Sequence, residues 1–159
     1  MAWAFVRPAD PRVLAPRPLL DLGTGDGQTI DALAPDGFVV GVDRTLRLLR
    51  PGSVNASVLA LPFGDATFQT VLAADLFHHL DDDDLAQTLR EAARVLGPGG
   101  RLVSWWLEHT PDPSPDAPRH TRTFEAVAER VTGAGLRAAP LALDVASTNS
   151  ATVGLLGEC

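Results

Sequence analysis

Leu19-Leu20-Asp21-Leu22-Gly23-Thr24-Gly25-Asp26-Gly27 is the stretch whose reading decides the fold. A short apolar run enters a turn with three glycines spaced two apart. A helix-like segment follows, and a second apolar run at 38–42 closes on Asp43. Strand, glycine turn, helix, strand and acid, in that order, let a nucleoside-bearing cofactor approach the backbone of an α/β protein. Glycine tolerates positive φ and, lacking a side chain, permits close contact. Asp43 lies about 20 residues beyond Gly23, where an acid can accept the hydroxyl hydrogens of a ribose diol. The spacing is Gly-x-Gly-x-Gly, which departs from the dinucleotide pattern Gly-x-Gly-x-x-Gly. No Gly-Lys-Ser/Thr follows, so a triphosphate loop is excluded by pattern.

The remaining chain sets bounds on this reading. Its 159 residues suit one domain, 1–159, with 1–18 a short lead-in broken by Pro8, Pro11, Pro16 and Pro18. The formal net charge of -7, with no lysine anywhere, argues against a phosphate-backbone partner. The small cluster Arg44, Arg47 and Arg50 does not reverse it. Cys159 is the only cysteine, so no intrachain disulfide or cysteine metal cluster can form. No apolar run is long enough to span a bilayer, and the N-terminus lacks an export-signal pattern. The expectation is a cytoplasmic protein with no membrane and no nucleic-acid partner.

Strands are expected at 18–22, 38–42, 54–59, 68–74 and 101–107, with the last two at 136–145 and 151–156. Helices are expected at 28–34, around 46–49, from the acidic run Asp81–Asp84 through Leu96, and at 124–131. The lead-in reads as irregular, and residues 108–120, with four prolines, read as a loop or flap. The 68–74 run is almost continuously apolar, as parallel strands buried on both faces are. Alternating strands and helices imply a mostly parallel sheet with ligands outside the carboxyl ends of its strands.

Four segments together carry a family resemblance: Leu-Leu-Asp-Leu-Gly-Thr-Gly-Asp-Gly (19–27), Val-Val-Gly-Val-Asp (39–43), Leu-Pro-Phe-Gly-Asp-Ala-Thr-Phe (61–68) and Glu-Ala-Ala-Arg-Val-Leu-Gly-Pro-Gly-Gly-Arg-Leu (91–102). The chain resembles a class I S-adenosylmethionine-dependent methyltransferase, nearest the small-molecule subgroup that includes quinone-biosynthesis C-methyltransferases. The likeness covers nearly everything from Leu19 onward. It implies a Rossmann-like seven-stranded sheet of order 3-2-1-4-5-7-6, with strand seven antiparallel and helices on both faces. It also implies S-adenosyl-L-methionine as cofactor and a small, apolar or aromatic metabolite as methyl acceptor. A non-catalytic cofactor-binding or interaction domain is the alternative.

Carried over by residue, Asp21, Gly23, Thr24, Gly25 and Gly27 would line the methionine and ribose part of the cofactor, and Asp43 would hold the ribose hydroxyls. Arg44 and Thr45 would border the adenine edge, with Ser57 and Val58 near its amino group. Many relatives place Asp where Ser57 stands, so a hydroxyl, backbone groups or water would serve there. Asp75, Leu76, Phe77, His78 and His79 would lie at the rim between cofactor and substrate, and either histidine is a candidate catalytic base. A packing role is the competing reading of both. No metal site is expected, because no His, Asp or Glu spacing matches one. Of Trp105 and Trp106, one is expected in the core and the other at the active-site mouth. Relatives usually carry one or two lid helices before strand one, which the prolines of 1–18 preclude. A homodimer is therefore expected to help cover the pocket, with Trp3, Phe5, Trp105 and Trp106 near the cover; a monomer capped by its substrate is the competitor.

Overall fold

A computed structural model describes residues 6–45, 51–108, 119–145 and 152–159. Its main sheet contains β2 (Leu19–Leu22), β3 (Val39–Asp43), β4 (Ser53–Asn55), β5 (Phe68–Ala74), β6 (Leu96–Leu107), β7 (Arg137–Pro140) and β9 (Thr152–Glu158), in the order β4-β3-β2-β5-β6-β9-β7. Counted along the chain this is 3-2-1-4-5-7-6. The pairs from β4 through β6 are parallel, and β9 runs antiparallel to both β6 and β7. The expected topology is the observed one. Strand order reverses at β2, which pairs with β3 on one side and β5 on the other, so the crevice for a ligand opens at their carboxyl ends.

Period-two alternation builds two cores. Leu20, Leu22, Val71, Ala73, Leu102 and Trp106 face α2 (Asp82–Val95) and α3 (Phe124–Gly133), whose Leu85, Leu89, Ala92, Val127 and Val131 are fully buried. Leu19, Leu72, Val103 and Trp105 face the other way, onto Ile30 and Leu33 of α1 (Gln28–Leu33). This corrects the expectation for the tryptophan pair. Adjacent strand residues point to opposite faces, and here both faces are covered, so Trp105 and Trp106 are each 0% exposed and neither lines a mouth. Trp3 and Phe5 lie outside the described residues, as do the expected helix near 46–49 and most of the 108–120 flap.

The lead-in also departs from the irregular segment expected. β1 (Val6–Pro8) pairs antiparallel with β8 (Leu143–Val145), Arg7 meets Asp144 at 3.5 Å, and Pro11–Leu14 forms a 3-10 turn capped by Asp10. The strand expected at 136–145 is thereby divided. Pro140 ends β7, the Leu141 N–H donates to the Gly154 carbonyl, and the chain then turns away to meet β1. The Gly97-Pro98-Gly99-Gly100 turn sits as an irregularity inside β6, where Phe68 pairs with Leu96 but Thr70 with Arg101.

Gly41 of β3 shows how closely α1 and the glycine turn pack on the sheet. A methyl group there would stand 2.5 Å from Ile30 Cδ1 and 2.6 Å from Thr24 Oγ1. Gly41→Ala is expected to destabilise the fold by about 1–3 kcal/mol, measured by urea denaturation. An unchanged midpoint would show that the turn can move aside.

Candidate active site

Gly23, Gly25 and Gly27 have φ of 68°, 56° and 79°, the left-handed region that other residues enter only with strain. The turn is held from both ends. The Thr24 N–H donates to the Val42 carbonyl at 3.0 Å and the Gly25 N–H to Asp43 Oδ2 at 3.0 Å. The other Asp43 oxygen, Oδ1, accepts the Thr45 N–H at 2.8 Å. The tip of β3 and the glycine turn are thus locked together through one carboxylate, and each of its oxygens keeps a lone pair for a further donor.

Gly23, Asp43, Arg44, Thr45, Ala56, Ser57, Val58, Leu59, Leu76, His79, Leu80 and Asp84 line a crevice of about 190 Å³. Eight residues expected at the site therefore meet in one place: Gly23, Asp43, Arg44, Thr45, Ser57, Val58, Leu76 and His79. Leu80 and Asp84 were not expected there. Leu76 crosses the glycine turn, with its Cδ1 3.1 Å from where a Gly23 Cβ would be. Ser57 Oγ accepts the Leu59 N–H at 3.1 Å, which tightens the turn beyond β4 and leaves its hydroxyl hydrogen to donate elsewhere. A methyl group at Gly25 would meet nothing within 4 Å, so the turn offers open backbone there.

Asp21 lies beneath the turn, 2% exposed, with Oδ2 lacking a hydrogen-bond partner, as does the buried Thr24 Oγ1. Burial pushes its carboxyl up to about 7; the neighbouring Thr24 side chain opposes this and the Asp43 charge adds to it. Asp75, at the tip of β5, holds a φ of 53°, unusual for a non-glycine residue, while its N–H donates to the Trp105 carbonyl at 2.9 Å. Burial raises its carboxyl as well, opposed by the neighbouring Trp105 side chain.

The two histidines differ. His78 is 3% exposed, and its Nδ1 accepts the Leu107 N–H at 3.0 Å, which places its own hydrogen on Nε2. Burial, and then the neighbouring His79, lower it to about 4. Its carbonyl accepts the His120 N–H at 3.2 Å. Arg122 fastens the same turn, donating to the carbonyls of Phe77 at 3.0 Å and Leu80 at 2.7 Å and to Asp82 at 2.9 Å. His78 thus ties the turn after β5 to the end of β6, whereas His79 lines the crevice, its basicity lowered by burial.

Asp21 and His78 act oppositely on stability. Asp21 is raised on folding, so its contribution is full below 3.8 and is lost as pH rises toward about 7. His78 is depressed, so its contribution is lost as pH falls from 6.5 toward about 4. Across the shared window the two slopes cancel in part. Asp21→Asn is expected to unmask the histidine slope, giving a variant whose urea midpoint drops more steeply on acidification than the parent's. Parallel pH profiles would count against this assignment.

The methyltransferase domain family matches residues 20–104, and the chain belongs to that family. Its sheet order and glycine turn are those of the class I, S-adenosylmethionine-dependent type. It is 40% identical to demethylmenaquinone methyltransferase of Thermus thermophilus over 114 residues, covering 62% of this chain and 50% of that one. It is 32% identical to 27-O-demethylrifamycin SV methyltransferase of Amycolatopsis mediterranei over 133 residues, covering 74% and 45%. The chain spans half or less of the length of these curated relatives. Among solved structures, 1,6-didemethyltoxoflavin-N1-methyltransferase of Burkholderia thailandensis, with bound 1,6-didemethyltoxoflavin and S-adenosylhomocysteine, superposes with a TM-score of 0.72 at 21% identity. That match covers 92% of this chain and 72% of that one, and it supports the fold.

Proposed function

We propose that the chain transfers a methyl group from S-adenosylmethionine to a small, apolar or aromatic metabolite. One observation carries this: the glycine turn, the doubly anchored Asp43 and the 56–59 turn converge on one crevice at the switch point of the sheet. The open backbone at Gly25, the spare lone pairs of Asp43 and the unpartnered Asp21 oxygen fit that cofactor. Asp43 would hold the ribose hydroxyls, Asp21, Gly23, Thr24, Gly25 and Gly27 the methionine side, and Arg44, Ser57 and Val58 the adenine. When bound, the cofactor supplies a methyl group on a positively charged sulfonium. The chain's task is then to align an acceptor with it and exclude water. His79 stands where it can take a proton from the acceptor, Asp75 holds the strand tip at the rim, and His78 keeps the turn carrying His79 in place.

Relatives named for demethylmenaquinone and 27-O-demethylrifamycin SV support a small-molecule acceptor. The same proposal takes 1–159 as one domain, its lead-in pinned by β1 to β8, and places it in the cytoplasm; no described helix is long and apolar enough to cross a membrane. It includes a homodimer that helps to cover the crevice; Trp105 and Trp106, each fully buried, do not supply its interface. A strictly monomeric light-scattering mass at high concentration, with ligands present, would remove the dimer. The chemistry is tested by incubating the protein with labelled methyl donor and metabolite extracts, then seeking labelled products by mass spectrometry. Donor binding with no labelled product would favour the non-catalytic domain.

A further inference from the structure

Residues 56–59 line the crevice on one side and lead into 60–67, yet only an isolated bridge, Ser57 with Ala60, gives the 56–67 segment regular pairing. Their main-chain groups are held instead by one face of α2. Gln87 Nε2 donates to the Leu59 carbonyl at 2.9 Å, and Glu91 Oε2 accepts the Leu61 N–H at 2.7 Å. Arg94 Nη2 donates to the Leu61 carbonyl at 3.1 Å, and Nη1 to the Phe63 carbonyl at 2.8 Å and to Asp65 at 2.9 Å. Positions 87, 91 and 94 share a helical face. Two of these side chains are themselves fixed. Arg90 holds Gln87 Oε1 through two contacts of 3.1 and 2.9 Å, and Arg94 grips Glu91 through two of 2.8 Å. Hydrogen bonding to Arg94 keeps Glu91 below the usual carboxylate range, so it remains an ionised acceptor. The same helix begins beside the crevice, where Asp84 is a lining residue.

We infer that Gln87, Glu91 and Arg94 are positioning residues that set the 57–59 wall of the crevice and thereby its affinity for an adenosine-bearing ligand. The inference rests on the cofactor reading above. It also gives one physical role to two separate sequence segments, 61–68 and 91–102, whose polar groups are the two halves of a single network.

Gln87→Glu keeps the side-chain shape but turns the donor facing the Leu59 carbonyl into an acceptor. Gln87→Ala removes the contact outright. Hydrogen exchange mapped along the chain, S-adenosylhomocysteine affinity by calorimetry and the urea midpoint would be compared with the parent. The expected result is faster exchange confined to 57–66, an affinity lower by about tenfold and a nearly unchanged midpoint. Exchange at 57–66 matching the parent's, or local loosening with undiminished affinity, would overturn the inference. Parent protein that binds no S-adenosylhomocysteine would overturn the cofactor reading, while the exchange map would still decide whether α2 clamps the turn.

Discussion

Asp43→Ala is expected to weaken S-adenosylhomocysteine binding by about a hundredfold, since the two charge-assisted hydrogen bonds that the proposed site gives to ribose would be lost. It also frees the Gly25 and Thr45 N–H groups, which Asp43 now accepts at 3.0 and 2.8 Å. Part of the loss is therefore disorder in the glycine turn itself. Asp43→Asn separates the two effects. Its amide oxygen can still accept one N–H and preserve some of the turn, but the charge is gone, so affinity should fall between those of parent and alanine variant. Equilibrium dialysis gives all three constants. An alanine variant that binds as the parent does would remove Asp43 from the site.

Trp106→Ala should produce the largest loss of stability, about 3–5 kcal/mol, from deletion of a fully buried aromatic. The ring packs against Phe77 with centroids 5.7 Å apart, and Nε1 donates to the Arg122 carbonyl at 2.9 Å. Arg122 in turn holds the Phe77 and Leu80 carbonyls, so the cavity would open beneath the turn that carries His79. Urea denaturation measures the loss. A variant of near-parental stability but poor acceptor turnover would instead return Trp106 to the substrate mouth, where the sequence left one of the pair.

That case shows what the sequence could carry. The β5 span of 68–74 was legible to the residue, because a strand buried on both faces needs an unbroken apolar run. The crevice was legible where short local patterns demand it: glycines at positive φ and an acid at the end of β3; the strand expected at 54–59 instead ends at Asn55, and 56–59 turn to form the wall. Whether Trp105 or Trp106 reaches a mouth depends on whether both sheet faces are covered, which is a tertiary fact. The β1–β8 pair joins segments of three residues from opposite ends of the chain, too short for an alternating pattern to register. The surroundings of His78 and His79 were inseparable in sequence; in the fold the Leu107 N–H donates to His78, while His79 lines the crevice. Gln87, Glu91 and Arg94 were given no role from the sequence, since their partners lie about 30 residues upstream and are mostly backbone groups, which leave no side-chain signature.

Calorimetric titration of S-adenosylhomocysteine into the purified protein, with NAD as comparison ligand, decides whether the crevice is a cofactor site. Saturable single-site binding, tighter than that of NAD, is expected. No heat at millimolar S-adenosylhomocysteine, or tighter binding of NAD, would contradict it.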